Sequence, residues 1–555
     1  MLTRLRKFRS GMDFWFWMKI LFVGLLCIFI VYPFYTLITR SFFSSKIQGF
    51  TFINFKTFFT KKYYYQSLIR SLITCGITTL TTTLIGVPLA YLMTRYNIKG
   101  KKYLHILIIV ALMSPPFIGA YAWILLFGRA GFITKFFLNV FHVVTPTIYG
   151  KAGIILVFTF HLFPYVYLYV SGALSSIDSS LEEAGENLGS NKLRRLWTIT
   201  IPLVMPSIAA GAIMVFMTSL ADFGTPMLIG EGYTVLPVLI YNEYMSEIGG
   251  NKNMASALSV IIVVVALLVL FLQKWLVARK NYTMTALRPP AEVQLNGQKR
   301  FWASFPVYLV TFIALLPQMM VVVLSFIKSG FGGFEQGWTL DNYRNILSRL
   351  ATNIKNTYVF SLIAIVFIVI IGMLTSYIVV RKKSWFASLL DTMVMFPYVI
   401  PGSVLGVGLI IAFNKPPIVL VGTAAIMIIS YVIRKLPYTV RSGSAFLYQT
   451  DASVEEASIN LGVSPMQTFF KVTARMMLPG ILSGAILSWI TCINELSSSI
   501  MLYTGRTSTI SIAVYQEVMR TSDGTAAALA TILIFSTVLS LYLFLKFSKG
   551  KVSIV

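Results

Sequence analysis

The chain contains one polar motif twice, as LEEAGENLG at residues 181–189 and as VEEASINLG at residues 454–462. The spacing between the two copies is the same as the spacing between Asp222 and Glu495, so one repeat relates both pairs. Each copy lies between hydrophobic runs that are long enough to cross a bilayer as helices. A polar segment repeated in this setting predicts a membrane protein of two similar halves, with the segment exposed where another protein docks.

The composition supports a membrane protein. Of the 555 residues, 57% are hydrophobic and only 12% are charged, about half the charged fraction of ordinary soluble domains. We therefore expect an all-α polytopic membrane protein with about twelve transmembrane helices in two pseudo-symmetric six-helix halves. The predicted spans are 18–38, 67–93, 104–128, 151–174, 201–222, 255–277, 303–327, 356–380, 387–412, 417–440, 476–500 and 526–547.

The distribution of charge predicts the orientation of the two halves. Lysine and arginine cluster next to the hydrophobic runs, as in the positive-inside pattern, so the net charge of +27 does not indicate a nucleic-acid partner. The clusters place both termini and the polar linker 278–301 in the cytoplasm. Six spans and a cytoplasmic linker return the chain to its starting side, which predicts a parallel repeat of residues 1–290 and 291–555.

Two polar segments contain the repeated motif, and they are called the elbows here. The first elbow covers residues 178–206 and the second covers residues 451–479. Ser180 with Glu183, and Ser453 with Glu456, have the spacing of a capping box, which predicts the start of a short helix. The charges of such a helix exclude it from lipid and favour an exposed position at the membrane surface.

The end of each elbow helix is also predicted. Gly189 and Gly462 stand where a residue with positive φ is favoured after a helix. Asn191 and Ser464 then suit the N-cap of a new helix, which Pro465 continues in the second elbow. Each elbow is therefore expected to form a helix, a glycine corner and a second helix that returns to the membrane.

These features resemble the EAA loop of permease subunits of bacterial ABC importers. The tripeptides EAG (183–185) and EAS (456–458), each followed by a glycine, match that loop, although Arg475 stands where the first elbow has Pro202. In that family the short helix contacts a cytoplasmic ATPase. The resemblance implies that the ATPase-coupling residues are Glu182, Glu183, Ala184, Gly185, Gly189, Glu455, Glu456, Ala457 and Gly462.

The resemblance implies a fused, two-domain permease with a type I ABC importer fold. The stretches ADFGT (221–225) and NELSSSIMLY (494–503) look like those of ferric-iron permeases, while thiamine, aminoethylphosphonate and polyamine permeases remain alternatives. The implied partners are two cytoplasmic ABC ATPase subunits, a periplasmic or lipid-anchored substrate-binding protein and the lipid bilayer of the bacterial inner membrane. The chain itself is expected to be no enzyme and to bind no cofactor, with ATP and Mg on the partner ATPase.

A substrate pathway is predicted at two carboxylates. Asp222 and Glu495 end corresponding spans, and carboxylates at membrane depth often mark a pathway. Ferric iron prefers oxygen ligands, so this pair is a candidate metal site to which Tyr241 and Tyr503 could add oxygens. The alternative is that both carboxylates lie at the outer membrane interface and cap helix ends.

Other function classes fit the sequence less well. The sequence has no Gly-x-x-x-x-Gly-Lys-Ser/Thr phosphate loop, so it cannot power transport by its own ATP hydrolysis. An ion-coupled secondary transporter can also have two six-helix halves, but it does not require a polar elbow after each fourth span. A channel is disfavoured because no segment resembles a selectivity filter.

Overall fold

The computed structural model describes residues 14–44, 49–143, 145–246, 250–278, 292–330 and 333–547. The first half contains α1 Phe14–Leu26, α2 Tyr32–Ser41, α3 Ile53–Thr60, α4 Lys62–Arg95, α5 Lys101–Met113, α6 Pro116–Phe127, α7 Phe132–Phe141, α8 Lys151–Ser175, α9 Ser179–Asn187, α10 Lys192–Arg195, α11 Ile201–Ala221, α12 Gly224–Ile229, α13 Leu236–Met245 and α14 Lys252–Ala278. The second half contains α15 Gly297–Leu324, β1 Ile327–Gly330, β2 Gly333–Trp338, α16 Asp341–Arg349, α17 Ala351–Arg381, α18 Trp385–Val399, α19 Gly402–Phe413, α20 Ala424–Gln449, α21 Ser453–Asn460, α22 Pro465–Thr468, α23 Ala474–Ile493, α24 Ser499–Leu502, α25 Ile510–Met519 and α26 Asp523–Phe547. Three π-helical segments, Cys27–Val31, Leu196–Thr200 and Phe469–Thr473, join neighbouring helices.

Fewer helices qualify as membrane spans by length and composition than the twelve that the sequence predicts. In the described part of the chain, ten helices are long and apolar enough to cross a membrane, or eleven if the bent pair α18 and α19 forms one span. The predicted tenth span corresponds to α20, which carries the three cations Arg434, Lys435 and Arg441. The predicted third span is interrupted between α5 and α6 at Pro115, because proline lacks the N–H that would continue the helix.

One element departs from the all-α prediction. Strands β1 and β2 pair antiparallel in a two-stranded hairpin directly after α15, within the residues that the structure describes. The hairpin is fixed to α16 by Asn342, whose side-chain amide donates to the carbonyl oxygens of Ser325 and Ile327 at 2.9 Å each. This connection between spans is therefore a folded unit.

The first helices of each half pack against the other half. Trp15 of α1 is buried against Tyr377 and Phe469, with ring centroids 4.5 and 4.9 Å away. In the reciprocal exchange, α15 packs against α5 and α6, and the Tyr308 hydroxyl donates to the Lys99 carbonyl oxygen at 2.6 Å. The two halves are thus interlocked through their first spans.

Within each half, a glycine brings two long helices together. A Cβ atom at Gly86 of α4 would lie 2.8 Å from Cβ of Val166 on α8, and one at Gly372 of α17 would lie 2.8 Å from Cγ2 of Thr439 on α20. Val166 and Thr439 occupy equivalent positions in the repeat. The segment from Gly86 to Val166, however, is longer than the segment from Gly372 to Thr439. The repeat therefore includes the second spans, and the two halves differ in the segment between these helices.

The linker between the halves is only partly described. Pro289 and the predicted boundary near residue 290 lie outside the described residues, as do the two termini. From residue 292 onward the linker is extended, and the Val293 N–H donates to the Arg95 carbonyl oxygen at 2.8 Å. The end of the linker is therefore attached to the end of α4.

Candidate functional site

Both elbow helices begin beside equivalent aspartates: Asp178 is the N-cap of the first helix, whereas Asp451 directly precedes Ala452, the N-cap of the second. The Ser180 N–H donates to Oδ1 of Asp178 at 3.0 Å, and the Ser453 N–H donates to Oδ1 of Asp451 at the same distance. The predicted capping boxes are therefore wrong, because the aspartates two positions earlier satisfy the free N–H groups. The hydrogen bond from the Ser453 backbone also lowers the pKa of Asp451 below its ordinary value.

The glycine corners of both elbows are confirmed. Gly189 and Gly462 have φ angles of +77° and +86°. The Gly189 N–H donates to the carbonyl oxygen of Glu186 at 2.8 Å, and the Ser190 N–H donates to that of Gly185 at 3.0 Å. The second elbow repeats this pattern, which is a Schellman motif and satisfies carbonyls at the helix end.

The returning helices begin as predicted and share an unexpected detail. The Asn191 side chain accepts from the Arg194 N–H at 2.8 Å, and the Ser464 hydroxyl oxygen accepts from the Gln467 N–H at 3.4 Å. In both halves a π-helical segment follows, and the long helices α11 and α23 then start at equivalent positions of the repeat. Arg475 therefore leaves the geometry of its helix the same as that of the helix containing Pro202.

The predicted coupling residues fall into an exposed group and an inward-facing group. The exposed residues are Glu183, Ala184, Gly189, Glu456, Ala457 and Gly462. Beside them, Leu188 and Leu461 are each 85% exposed and occupy equivalent positions. Such exposed apolar side chains on a polar elbow suit a protein contact.

The inward-facing residues join each elbow to the membrane-spanning helices of its half. Gly185 is buried, and a Cβ atom there would lie 2.8 Å from Cδ1 of Ile199. Glu182 forms an ion pair with Arg95 at 2.5 Å, and Glu455 forms one with Arg381 at 3.1 Å. Neither arginine is among the predicted coupling residues, although each is the last residue of the second span in its half.

A cavity of about 250 Å³ lies between the two halves. Its walls include pairs of residues at equivalent positions in the repeat: Tyr165 and Tyr438, Thr218 and Thr491, Asp222 and Glu495, and His161 and Arg434. The two carboxylates at which a pathway is predicted therefore line the same cavity. Each half contributes one of them at the end of a long helix.

Glu495 is neutralised by cations of its own half. Its side chain is 4% exposed and forms ion pairs with Arg434, through Oε1, and with Lys435, whose Nζ lies 2.7 Å from Oε2. The Ser498 N–H also donates to Oε1 at 3.0 Å. Arg434 and Lys435 are not among the predicted pathway residues, although they are detectable in the sequence as adjacent charges within an otherwise apolar segment.

Asp222 is bound differently. Its Oδ2 accepts the Thr225 N–H at 2.9 Å, and no ion pair to Asp222 occurs among the described residues. In the described part of the chain, no group of three or more His, Cys, Asp and Glu side chains could hold a metal ion. The metal-binding role of Asp222 and Glu495 stays a prediction.

Tyr241 and Tyr503 lie outside the cavity, contrary to the prediction that they add oxygens beside the carboxylates. Tyr241 packs against Phe223 with ring centroids 5.0 Å apart. The Tyr503 hydroxyl oxygen accepts from Nε2 of Gln516 at 3.2 Å. Tyr241 lies on α13 and Tyr503 directly follows α24, and neither tyrosine lines the cavity defined by the described residues.

Comparison with known proteins identifies relatives across most of the chain. The putative ferric transport system permease protein FbpB 1 of Haemophilus influenzae is 29% identical over 513 residues, covering 88% of this chain and 79% of that protein. The ferric transport system permease protein FbpB of Actinobacillus pleuropneumoniae is 29% identical over 85% of this chain and 69% of its own length. The molybdenum transport system permease protein ModB of Escherichia coli is 28% identical over 38% of this chain and 93% of its own length.

A family profile matches both halves. The family described as "Binding-protein-dependent transport system inner membrane component" matches residues 83–282 and again residues 368–553. Each match contains one elbow and one of the two cavity carboxylates. The chain belongs to this family and is a permease of a binding-protein-dependent ABC importer, with the family domain present twice.

Proposed function

We propose that this protein is the permease subunit for ferric iron delivered by a periplasmic or lipid-anchored binding protein, in the bacterial inner membrane with both termini in the cytoplasm. The observation that carries the proposal is the duplicated elbow with exposed Leu188 and Leu461. The relatives that align over most of the chain are named ferric transport permeases, which supports iron as the substrate. The chain supplies the membrane path, and ATP with Mg binds to the partner subunits.

The elbows engage two cytoplasmic ABC ATPase subunits, one for each half. Leu188 and Leu461 provide apolar contacts, and the neighbouring Glu183 and Glu456 are placed to meet cations of the ATPase. Closure of the ATPase pair upon ATP binding displaces the elbows and reorients the two halves. Because the first spans are exchanged, the halves rotate against each other without separating.

The cavity between the halves is the proposed pathway. It has walls from both halves, so relative rotation of the halves changes its access. Asp222 and Glu495 present carboxylate oxygens, which suit a hard cation such as ferric iron. Asp222, which has no ion pair among the described residues, is the carboxylate that is available to a cation.

A second candidate substrate is an anion or an anionic chelate of the metal. Arg434 and Lys435 line the cavity and place two positive charges there. The relatives named molybdenum transport system permeases support this candidate. A guanidinium group presents several N–H donors that match oxyanions.

Transport in proteoliposomes distinguishes the two substrates. The full chain is reconstituted with its ATPase and binding protein, and uptake of radioactive ferric iron is measured with and without ATP. We expect ATP-dependent iron uptake that excess molybdate leaves unchanged. Molybdate uptake without iron uptake would reject the ferric assignment and favour the anion.

Docking of the ATPase is tested at the exposed leucines. Leu188→Asp with Leu461→Asp removes both apolar contacts, and we expect at least about tenfold weaker co-purification of the ATPase, as for loss of interface hot spots. Leu347→Asp is the matched control, because Leu347 is 69% exposed on α16, at the opposite end of α17 from the elbow. Undiminished ATPase binding by the double variant would reject the elbow as the docking site.

A further inference from the structure

We propose that Arg95 and Arg381 are positioning residues that transmit the displacement of each elbow to the second span of the same half. In the first half, Nη2 of Arg95 lies 2.5 Å from Oε1 of Glu182. The Thr200 hydroxyl donates to the same oxygen at 3.1 Å. One carboxylate thus joins the end of α4, the elbow helix α9 and the returning helix. The inference rests on the proposed docking of ATPases to the elbows.

The second half contains the same connection with different supporting groups. Nε of Arg381 lies 3.1 Å from Oε1 of Glu455, and the Tyr377 hydroxyl donates to Oε2 at 3.1 Å. Nη2 of Arg381 also donates to the carbonyl oxygen of Thr450 at 2.7 Å. Here the Glu455 carboxylate joins α17 to the elbow helix α21. The hydrogen bond from Arg381 to Thr450 also joins α17 to the end of α20.

The repetition of this ion pair is informative because the two halves differ in length. The glutamates Glu182 and Glu455 occupy equivalent positions in the repeat, but the chain from each arginine to its glutamate is longer in the first half than in the second. The fold therefore brings the same partners together despite the additional residues of the first half. A chance surface contact has no reason to recur in this way.

The pair is placed where it is electrostatically favourable and protected from water. Each glutamate lies near the start of its elbow helix, and each arginine ends a long helix, so both interact well with the helix dipoles. The Arg95 and Arg381 side chains are only 7% and 17% exposed. Solvent screening is weaker at such positions than at the surface, so the connection persists during movement.

The consequence is a rigid unit of several helices. The elbow is already continuous with α8 and α11 in the first half, and with α20 and α23 in the second. The ion pair adds α4 or α17, which packs against those helices. A force applied to an elbow then moves the whole bundle of its half. In the first half, the linker also attaches to the Arg95 carbonyl oxygen through Val293.

The experiment measures transported substrate per ATP hydrolysed, using the full chain with its ATPase and binding protein in proteoliposomes. Arg95→Gln with Arg381→Gln should lower this ratio about tenfold, a typical size for coupling between sites. ATPase binding and basal ATP hydrolysis should remain, because these arginines lie behind the docking surface. Adding Glu182→Gln and Glu455→Gln should cause little further loss, as expected for partners in one interaction.

Controls separate positioning from folding. Arg344→Gln removes an exposed ion pair with Asp341 on α16, which precedes α17 at the end opposite to Arg381. This substitution should leave the amount of substrate transported per ATP unchanged. Arg95→Lys with Arg381→Lys keeps the charge and should restore part of the ratio if the glutamine variants fold poorly. An unchanged ratio in the glutamine variants, or loss of ATPase binding in step with transport, overturns the inference. Absence of ATPase binding to the unmodified protein instead refutes the proposed function.

Discussion

At the scale of single residues, the cavity carboxylates show how context assigns different roles to equivalent positions. Asp222 and Glu495 have the same place in the repeat, but within the described residues only Glu495 is ion-paired, to Arg434 and Lys435. Asp222 caps a backbone N–H and faces the same cavity. The negative charge of Glu495 is therefore balanced by cations of its own half, whereas that of Asp222 has no such counter-charge among the described residues.

This difference predicts unequal effects of neutralising the two carboxylates. Glu495→Gln leaves Lys435, which is buried, and Arg434, which is 14% exposed, without their counter-charge and should destabilise the protein by roughly 3–5 kcal/mol. Asp222→Asn loses part of one hydrogen bond and should cost about 1 kcal/mol. Thermal unfolding of the purified variants in the same detergent measures both. Equal destabilisation by the two substitutions would contradict this account of the Glu495 cluster.

At the scale of elements, close helix packing depends on small residues in each half. Gly86 and Gly372 allow α4 and α17 to approach α8 and α20 with no space for a Cβ atom. In a membrane, such small residues promote association because backbones can approach closely. The sequence motif of the elbow gives no information about these contacts, which occur in the spans around it.

A pair of glycine substitutions tests this packing within a single helix. Gly86→Ala should destabilise the protein by about 1–3 kcal/mol, because its Cβ would overlap Val166. Gly76→Ala lies on the same helix with open space around it and should be neutral or stabilising by up to about 1 kcal/mol, because alanine favours helix. The melting temperatures of the two purified variants, measured in the same detergent, give this comparison. A stable Gly86→Ala variant would mean that the two helices can separate without loss.

At the scale of the whole molecule, the exchange of first spans makes each half depend on the other. Helix α1 packs against α18, and α15 packs against α5 and α6. The Tyr121 hydroxyl of the first half also donates to the Asp523 carbonyl oxygen of the second at 2.8 Å. The buried surface of each half is completed only when both are present.

Separate expression of the halves tests this dependence. Residues 1–290 and 291–555, co-expressed as two chains, should co-purify as a complex because the exchanged helices bind noncovalently. Each fragment expressed alone should accumulate to a much lower level, since its partner-facing apolar surfaces are unsatisfied. Quantitative blotting of membrane fractions measures both. Equal accumulation of the single fragments would show that the exchanged packing contributes little to stability.

The sequence by itself determined the duplicated helical membrane architecture, the elbows with their glycine corners and the family. These features depend on local hydrophobicity, on conformational preference at Gly189 and Gly462, and on a repeat visible along the chain. Only the tertiary structure decided that Arg95 and Arg381 meet the elbow glutamates, that Arg434 and Lys435 neutralise Glu495, and that the first spans are exchanged. The physical reason is that these contacts join residues far apart in the chain, and charge pairing and close packing depend on distances that the order of residues does not specify.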